Sequence, residues 1–225
     1  MERQFEKELQ DLRENLLKMG TLVEEAIANA VKSLVERDSD LARRTIECDC
    51  QIDQLEVKLE EKAVRLLALR QPMARDLRFI IKSVKIIASL ERIGDHAVNI
   101  SERALELNKE PPLKPYIDIP IMARAAQMML KEALDAFINE DTALAFKVCH
   151  DDQLIDDLDD QILRELLTFM MEDPHTITRA VRIIQISKYL ERIGDLATNI
   201  AESIIYMVEA RDIRHGGYIK EDTTK

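Results

Sequence analysis

Glu91, Asp95, Asn99 and Glu102 stand at spacings of four, four and three, and the same residue types recur at Glu191, Asp195, Asn199 and Glu202. On a helix these spacings put the side chains in one row, with successive members about 6 Å apart along the axis. An earlier acidic row comprises Asp49, Asp53 and Glu56, and its counterpart is Asp152, Asp156 and Asp159. If antiparallel neighbouring helices carry the two rows of each set, the rows face one another across a groove. Carboxylates that converge without compensation repel and raise one another's pKa values. A hard cation relieves that repulsion, and an all-oxygen donor set suits magnesium, calcium, manganese or iron rather than a soft metal. The candidate ligands are therefore Asp49, Asp53, Glu91 and Asp95 in one set, and Asp152, Asp156, Glu191 and Asp195 in the other. The same letters also have a plainer reading, as solvated acids on exposed helix faces neutralised by Arg92 or nearby lysines.

The acidic rows sit inside a larger repetition. Glu91-Arg92-Ile93-Gly94-Asp95 recurs letter for letter as Glu191-Arg192-Ile193-Gly194-Asp195, preceded in both copies by Leu (Leu90, Leu190). Upstream, Leu34, Asp38, Leu41 and Ala42 match Phe137, Asp141, Leu144 and Ala145 at a spacing of 103, and Asp49, Ile52 and Asp53 match Asp152, Ile155 and Asp156 at the same spacing. The chain is a tandem duplication, which has to be recognised before a fold is proposed. Gly94 and Gly194 each interrupt a helical pattern at a cost of up to ~1 kcal/mol relative to Ala. Their retention in both copies points to a close approach by a neighbouring helix or a ligand.

Six long helices are expected to position these residues. The first spans about Glu2 to Glu36, where Phe5, Leu9, Leu12, Leu16, Met19, Val23 and Ile27 advance by threes and fours, with Gly20 as a possible bend. Asp38-Ser39 caps a second helix from Asp40 to Leu69, and Gln71-Pro72 ends it, with Pro72 suited to the first turn of a third helix that runs to Asn108. Three prolines in Lys109 to Tyr116 exclude a helix and mark a linker. A fourth helix covers Pro120 to Ile138, Asp141 caps a fifth that reaches Met171, and Asp173-Pro174 opens a sixth that ends near Arg211. The expected fold is all-α: two tandem, similar three-helix bundles at residues 1–110 and 117–212, with residues 213–225 as a loose tail.

Composition narrows the function classes. The formal charge is −11, whereas a nucleic-acid footprint needs clustered Lys and Arg. That charge also disfavours a direct phosphate binder, unless one local site escapes it. The longest apolar stretch, Phe79 to Leu90, carries Lys82 and Lys85, so no membrane insertion is expected. Three cysteines, Cys48, Cys50 and Cys149, suit a reduced, cytoplasmic protein and read as small buried residues. The Glu-x-x-His pairs of ferritin-like di-iron bundles are missing: Glu172 and His175 have that spacing, but Pro174 lies between them. His96 and His150 read as structural residues. No nucleophile-base motif, Gly-rich phosphate loop or dinucleotide fingerprint is present.

With these residues in view, the chain resembles the PhoU family of bacterial phosphate-transport accessory and regulatory proteins. The resemblance is carried by Gln71-Pro72 with Asp76-Leu77-Arg78, by Leu90 to Asp95 and Leu190 to Asp195, by Glu172-Asp173-Pro174, by Asn199-Ile200-Ala201-Glu202, and by Arg211 to His215. It implies two three-helix bundles and a metal-binding pattern that falls on the eight carboxylates above. It also implies a regulator that damps phosphate uptake and the phosphate-starvation response by contact rather than by catalysis. The implied partners are the ATPase of the phosphate ABC transporter and a sensor histidine kinase, and the expected assembly is a homodimer. Two other readings of the residues stay open: a carboxylate-bridged metal enzyme, and a plain helical scaffold or chaperone-like module.

Overall fold

The computed structural model describes residues 2–213, and among them every regular element is helical. α1 (Glu2–Val35) buries Leu12, Leu16, Met19, Val23, Ile27, Ala30 and Leu34 completely, which is the stripe that its periodicity draws. It passes through Gly20 without a break. Gly20 instead allows a close approach, because a Cβ there would lie 2.5 Å from Leu134 Cδ1.

The second expected helix is split. α2 (Ser39–Cys48) and α3 (Cys50–Arg70) are separated by Asp49, whose own φ and ψ of −58° and −33° remain helical. The interruption is therefore a local loosening of the ladder, with Asp49 N–H donating to the Ile46 carbonyl at 3.4 Å. Asp38 caps α2 by accepting from the backbone N–H of Asp40 and Leu41. Leu69, expected on the buried stripe, is 65% exposed. Pro72 does not open the next helix: Gln71 closes α3 in the left-handed region (φ 48°), Met73 is extended, and α4 (Ala74–Leu107) starts after them. The residue before a proline is steered away from right-handed helix, which places Gln71 and Pro72 outside both helices.

Arg37 pins the linker by donating to the carbonyls of Asn108 and Glu110 at 2.8 and 2.6 Å. α5 (Asp118–Asn139) follows, and Asp141 caps α6 (Thr142–Glu172) through the Leu144 N–H. Pro174–Thr176 forms a single 3₁₀ turn, held by Asp173 accepting from the His175 N–H, and α7 (Ile177–Glu209) begins only after it. Ile213, expected to start the loose tail, is buried in the core, while the remainder of that tail lies outside the described residues.

α1 to α4 pack together, as do α5 to α7, and α4 and α7 meet along the most extensive helix pair in the molecule, with α1 also touching α5. One hydrophobic cluster runs through all of them except α2, so the repeats share a continuous core. No helix among the described residues is long and apolar enough to cross a membrane. Cys48 and Cys50 are exposed rather than buried, and Cys149 is half-buried.

Candidate functional site

Each repeat brings its Asp row against its Glu/Asp row, through the same close contact. A Cβ on Gly94 would lie 3.1 Å from Asp49 Oδ1 and 3.1 Å from Ile52 Cδ1. A Cβ on Gly194 would lie 3.0 Å from Asp152 Oδ1 and 2.8 Å from Ile155 Cδ1. The two glycines therefore cradle equivalent Asp and Ile side chains, and the price of a helical Gly is offset by this approach of α3 to α4 and of α6 to α7.

The electrostatics of the first half follow from that packing. Asp49 is half-buried, and its carboxyl is pushed up to about 6, chiefly by burial and then by Asp53 and Asp95. Glu91, also half-buried, is pushed up to about 7 by burial, with Asp95, Glu56 and Asp53 adding to it and only Arg92 opposing. Asp53 and Asp95 are exposed at the rim. In the second half, burial followed by Asp195, Asp156 and Glu191 raises Asp152 to about 6. Burial raises Asp195 as well, with Asp156 adding and Lys188 and Arg192 opposing. All eight carboxylates thus fall into two facing sets of four.

The sets differ in one cation. Lys188 Nζ lies 2.7 Å from Asp159 Oδ2 and 3.4 Å from Glu191 Oε1, and it is the main influence opposing the rise at Glu191 that burial causes. The matching position in the first half is Ala88. Asp159 is 3% exposed, and its second oxygen, Oδ1, is buried without a hydrogen-bond partner. A buried lone carboxylate oxygen is costly and calls for a donor or a cation. The acidic rows did not reveal Lys188, although aligning the two copies at a spacing of 100 would have exposed the Ala88/Lys188 difference.

These residues suit a hard cation by chemistry: oxygen donors, glycine cradles beside them, and an orphaned buried oxygen. Among the described residues, no three acidic, histidine or cysteine side chains converge closely enough to hold a metal as they stand. Facing carboxylates with no counter-ion repel one another.

The model of the PhoU domain matches residues 16–104 and again residues 119–204. The chain belongs to the PhoU family. Among PhoU proteins, the phosphate-specific transport system accessory protein PhoU homolog of Pseudomonas aeruginosa is 46% identical over 215 residues, covering 95% of this chain and 89% of that protein. The phosphate-specific transport system accessory protein PhoU of Escherichia coli is 38% identical over 214 residues, with 95% and 89% covered. The crystal structure of PhoU from Pseudomonas aeruginosa superposes with a TM-score of 0.89 at 45% identity, over 92% of this chain and 100% of that one. The phosphate transport system regulatory protein PhoU from Streptococcus pneumoniae gives a TM-score of 0.86 at 29% identity, over 92% and 98%. Each PhoU match encloses one Glu-Arg-Ile-Gly-Asp copy together with the Asp row that faces it.

Proposed function

We propose that this chain regulates phosphate uptake and restrains the phosphate-starvation response. It acts by contact, as an adaptor between the ATPase of a phosphate ABC transporter and a sensor histidine kinase. The observation that carries the reading is near full-length kinship with proteins named as accessory or regulatory components of phosphate transport. An acidic surface and rigid helical rods suit docking to basic partner surfaces. The test is genetic and biochemical. Loss of the protein should derepress phosphate-starvation genes in high phosphate, and restoring it should silence them. Ala substitutions in both Glu-Arg-Ile-Gly-Asp copies are expected to weaken silencing more than either alone. Purified protein that neither associates with the kinase or the ATPase nor alters kinase output would overturn the reading.

The same proposal assigns a hard cation, divalent or trivalent, to each acidic set. Asp49, Asp53, Glu91 and Asp95 would hold one, and Asp152, Asp156, Glu191 and Asp195 the other. Such a cation supplies positive charge that cancels the repulsion between rows and ties α3 to α4 and α6 to α7. The chain's own residues prepare the site: Gly94 and Gly194 admit Asp49 and Asp152 to the helix surface, and burial keeps Glu91 ready to exchange a proton for a cation.

A further inference from the structure

α4 and α7 form an antiparallel seam with an approximate two-fold relation. Arg78 donates to the Met207 carbonyl at one end, and Arg182 pairs with Glu106 at the other. Residues 100 apart therefore line two related grooves, one on either side of the seam's centre. One groove is filled. His96 and Tyr189 stack there with ring centroids 5.7 Å apart. Beyond them Arg182 Nε lies 2.5 Å from Glu106, and Arg103 lies 3.2 Å from Glu106 and 3.4 Å from Glu102.

The other groove is open, with a cavity of about 310 Å³. Ser89 stands where the filled groove has Tyr189, and Leu196 stands where it has His96, so no ring pair closes the space. Tyr206 replaces Glu106, so the ammonium of Lys82 rests 4.1 Å over an aromatic ring instead of on a carboxylate at that position. Lys85 replaces Gln185 and adds a cation. The lining thus holds three cations, Lys82, Lys85 and Arg92, against one carboxylate, Glu202. Glu202 and Lys82 each have a further interaction within the protein, and Glu202 also acts on the Cys149 thiol. Lys85 and Arg92 are exposed, and neither makes a salt bridge among the described residues. The hydroxyls of Ser89 and Ser203 and the amide of Asn199 complete a set of hydrogen-bond donors.

We propose that this cavity binds a phosphoryl group carried by a small soluble molecule. Tetrahedral oxyanions are recognised by converging ammonium, guanidinium and hydroxyl donors, with the guanidinium able to donate twice. The volume falls at the lower end of the ~300–1,000 Å³ usual for ligand sites, enough for a phosphoryl group and a compact body attached to it. This is the local exception to the chain's net charge of −11. Donors come from both α4 and α7, so the ligand ties one repeat to the other. The cavity's charge does not depend on the regulatory reading, and failure of one leaves the other standing.

Calorimetric titration of the full chain at low salt, with inorganic phosphate, pyrophosphate and AMP as separate probes, tests the assignment. Saturable binding at one site is expected, tightest for the probe with two phosphoryl groups. Lys85→Glu, at an exposed position, is expected to weaken it at least ~10-fold. The pair Ser89→Tyr and Leu196→His copies the stacked rings into the open groove and is expected to abolish binding while leaving every cation in place. Should that pair disturb the helical circular dichroism, Lys85→Glu carries the test. No saturable binding of any probe up to about 1 mM overturns the proposal. Binding that ignores Lys85→Glu also overturns it. Binding to phosphatidylglycerol vesicles without binding to the soluble probes assigns the groove to a lipid headgroup and overturns the soluble ligand.

Discussion

Replacing Glu91 by Gln is expected to stabilise the metal-free protein near neutral pH. The Glu91 carboxyl is pushed up to about 7 from an ordinary 4.5 by burial and by Asp95, Glu56 and Asp53. A carboxyl raised in the folded state holds more protons folded than unfolded between those two values. Its contribution to stability is therefore present in acid and lost as pH rises through about 7. The unscreened ceiling, at ~1.36 kcal/mol per pKa unit, is roughly 3 kcal/mol. Glu91 is only half-buried, so solvent and salt reduce this to ~1 kcal/mol. For a chain of this length that corresponds to a melting point higher by ~2–4 °C for Glu91→Gln in EDTA near pH 7.5. The difference should vanish near pH 4.5, where the native glutamate is already protonated in the fold. Asp49 and Asp152, pushed up to about 6, act with the same sign at lower pH, so the wild type in EDTA gains stability on acidification from about pH 8 to about pH 5. Excess manganese or magnesium should invert the ranking, because Gln removes a ligand charge. Thermal melts monitored by circular dichroism across pH, with and without metal, decide the matter. A lower melting point for Glu91→Gln in EDTA near pH 7.5, or a wild type whose stability is flat over that range, would refute the reasoning.

Lys188→Ala is expected to destabilise the fold by ~2 kcal/mol in urea titrations, since it leaves the buried Asp159 carboxylate without its counter-ion. It should also raise the cation affinity of the second acidic set; a loss under ~0.5 kcal/mol would show that the pair is only a surface contact. The two N-caps differ in bonding, so Asp38→Ala, which loses two N–H contacts, is expected to cost ~1–2 kcal/mol and Asp141→Ala, which loses one, ~1 kcal/mol. Urea denaturation that reverses that order would contradict the cap geometry.

The α1 stripe, the caps at Asp38 and Asp141 and the linker after Leu107 were legible because each depends on local spacing or on one residue's backbone preference. The two acidic rows were legible for the same reason: residues four apart on a helix share a face whatever surrounds them. The break at Asp49 was not, because its backbone angles stay helical and only hydrogen-bond lengths betray it. Gly20 misled for a related reason. A glycine in a helix reads as a bend, but the need for it comes from Leu134 on a helix more than a hundred residues away.

By itself the sequence determined the duplication, the all-helical class, the helix faces and the chemical type of the candidate ligands, since all of these are set by periodicity and side-chain identity along one chain. Tertiary structure decided which rows face each other and how far burial shifts each carboxyl, because both depend on the distance between helices that no local spacing encodes. It also decided what the sequence differences between the two copies do. One Lys, at 188, brings a counter-ion to the second acidic set, while Ser89, Leu196 and Tyr206 leave the groove on one side of the α4–α7 seam open and rich in cations. Duplicated letters specify equal helices, but contacts across the seam pair unlike residues, and that is where the two halves of this PhoU protein part company.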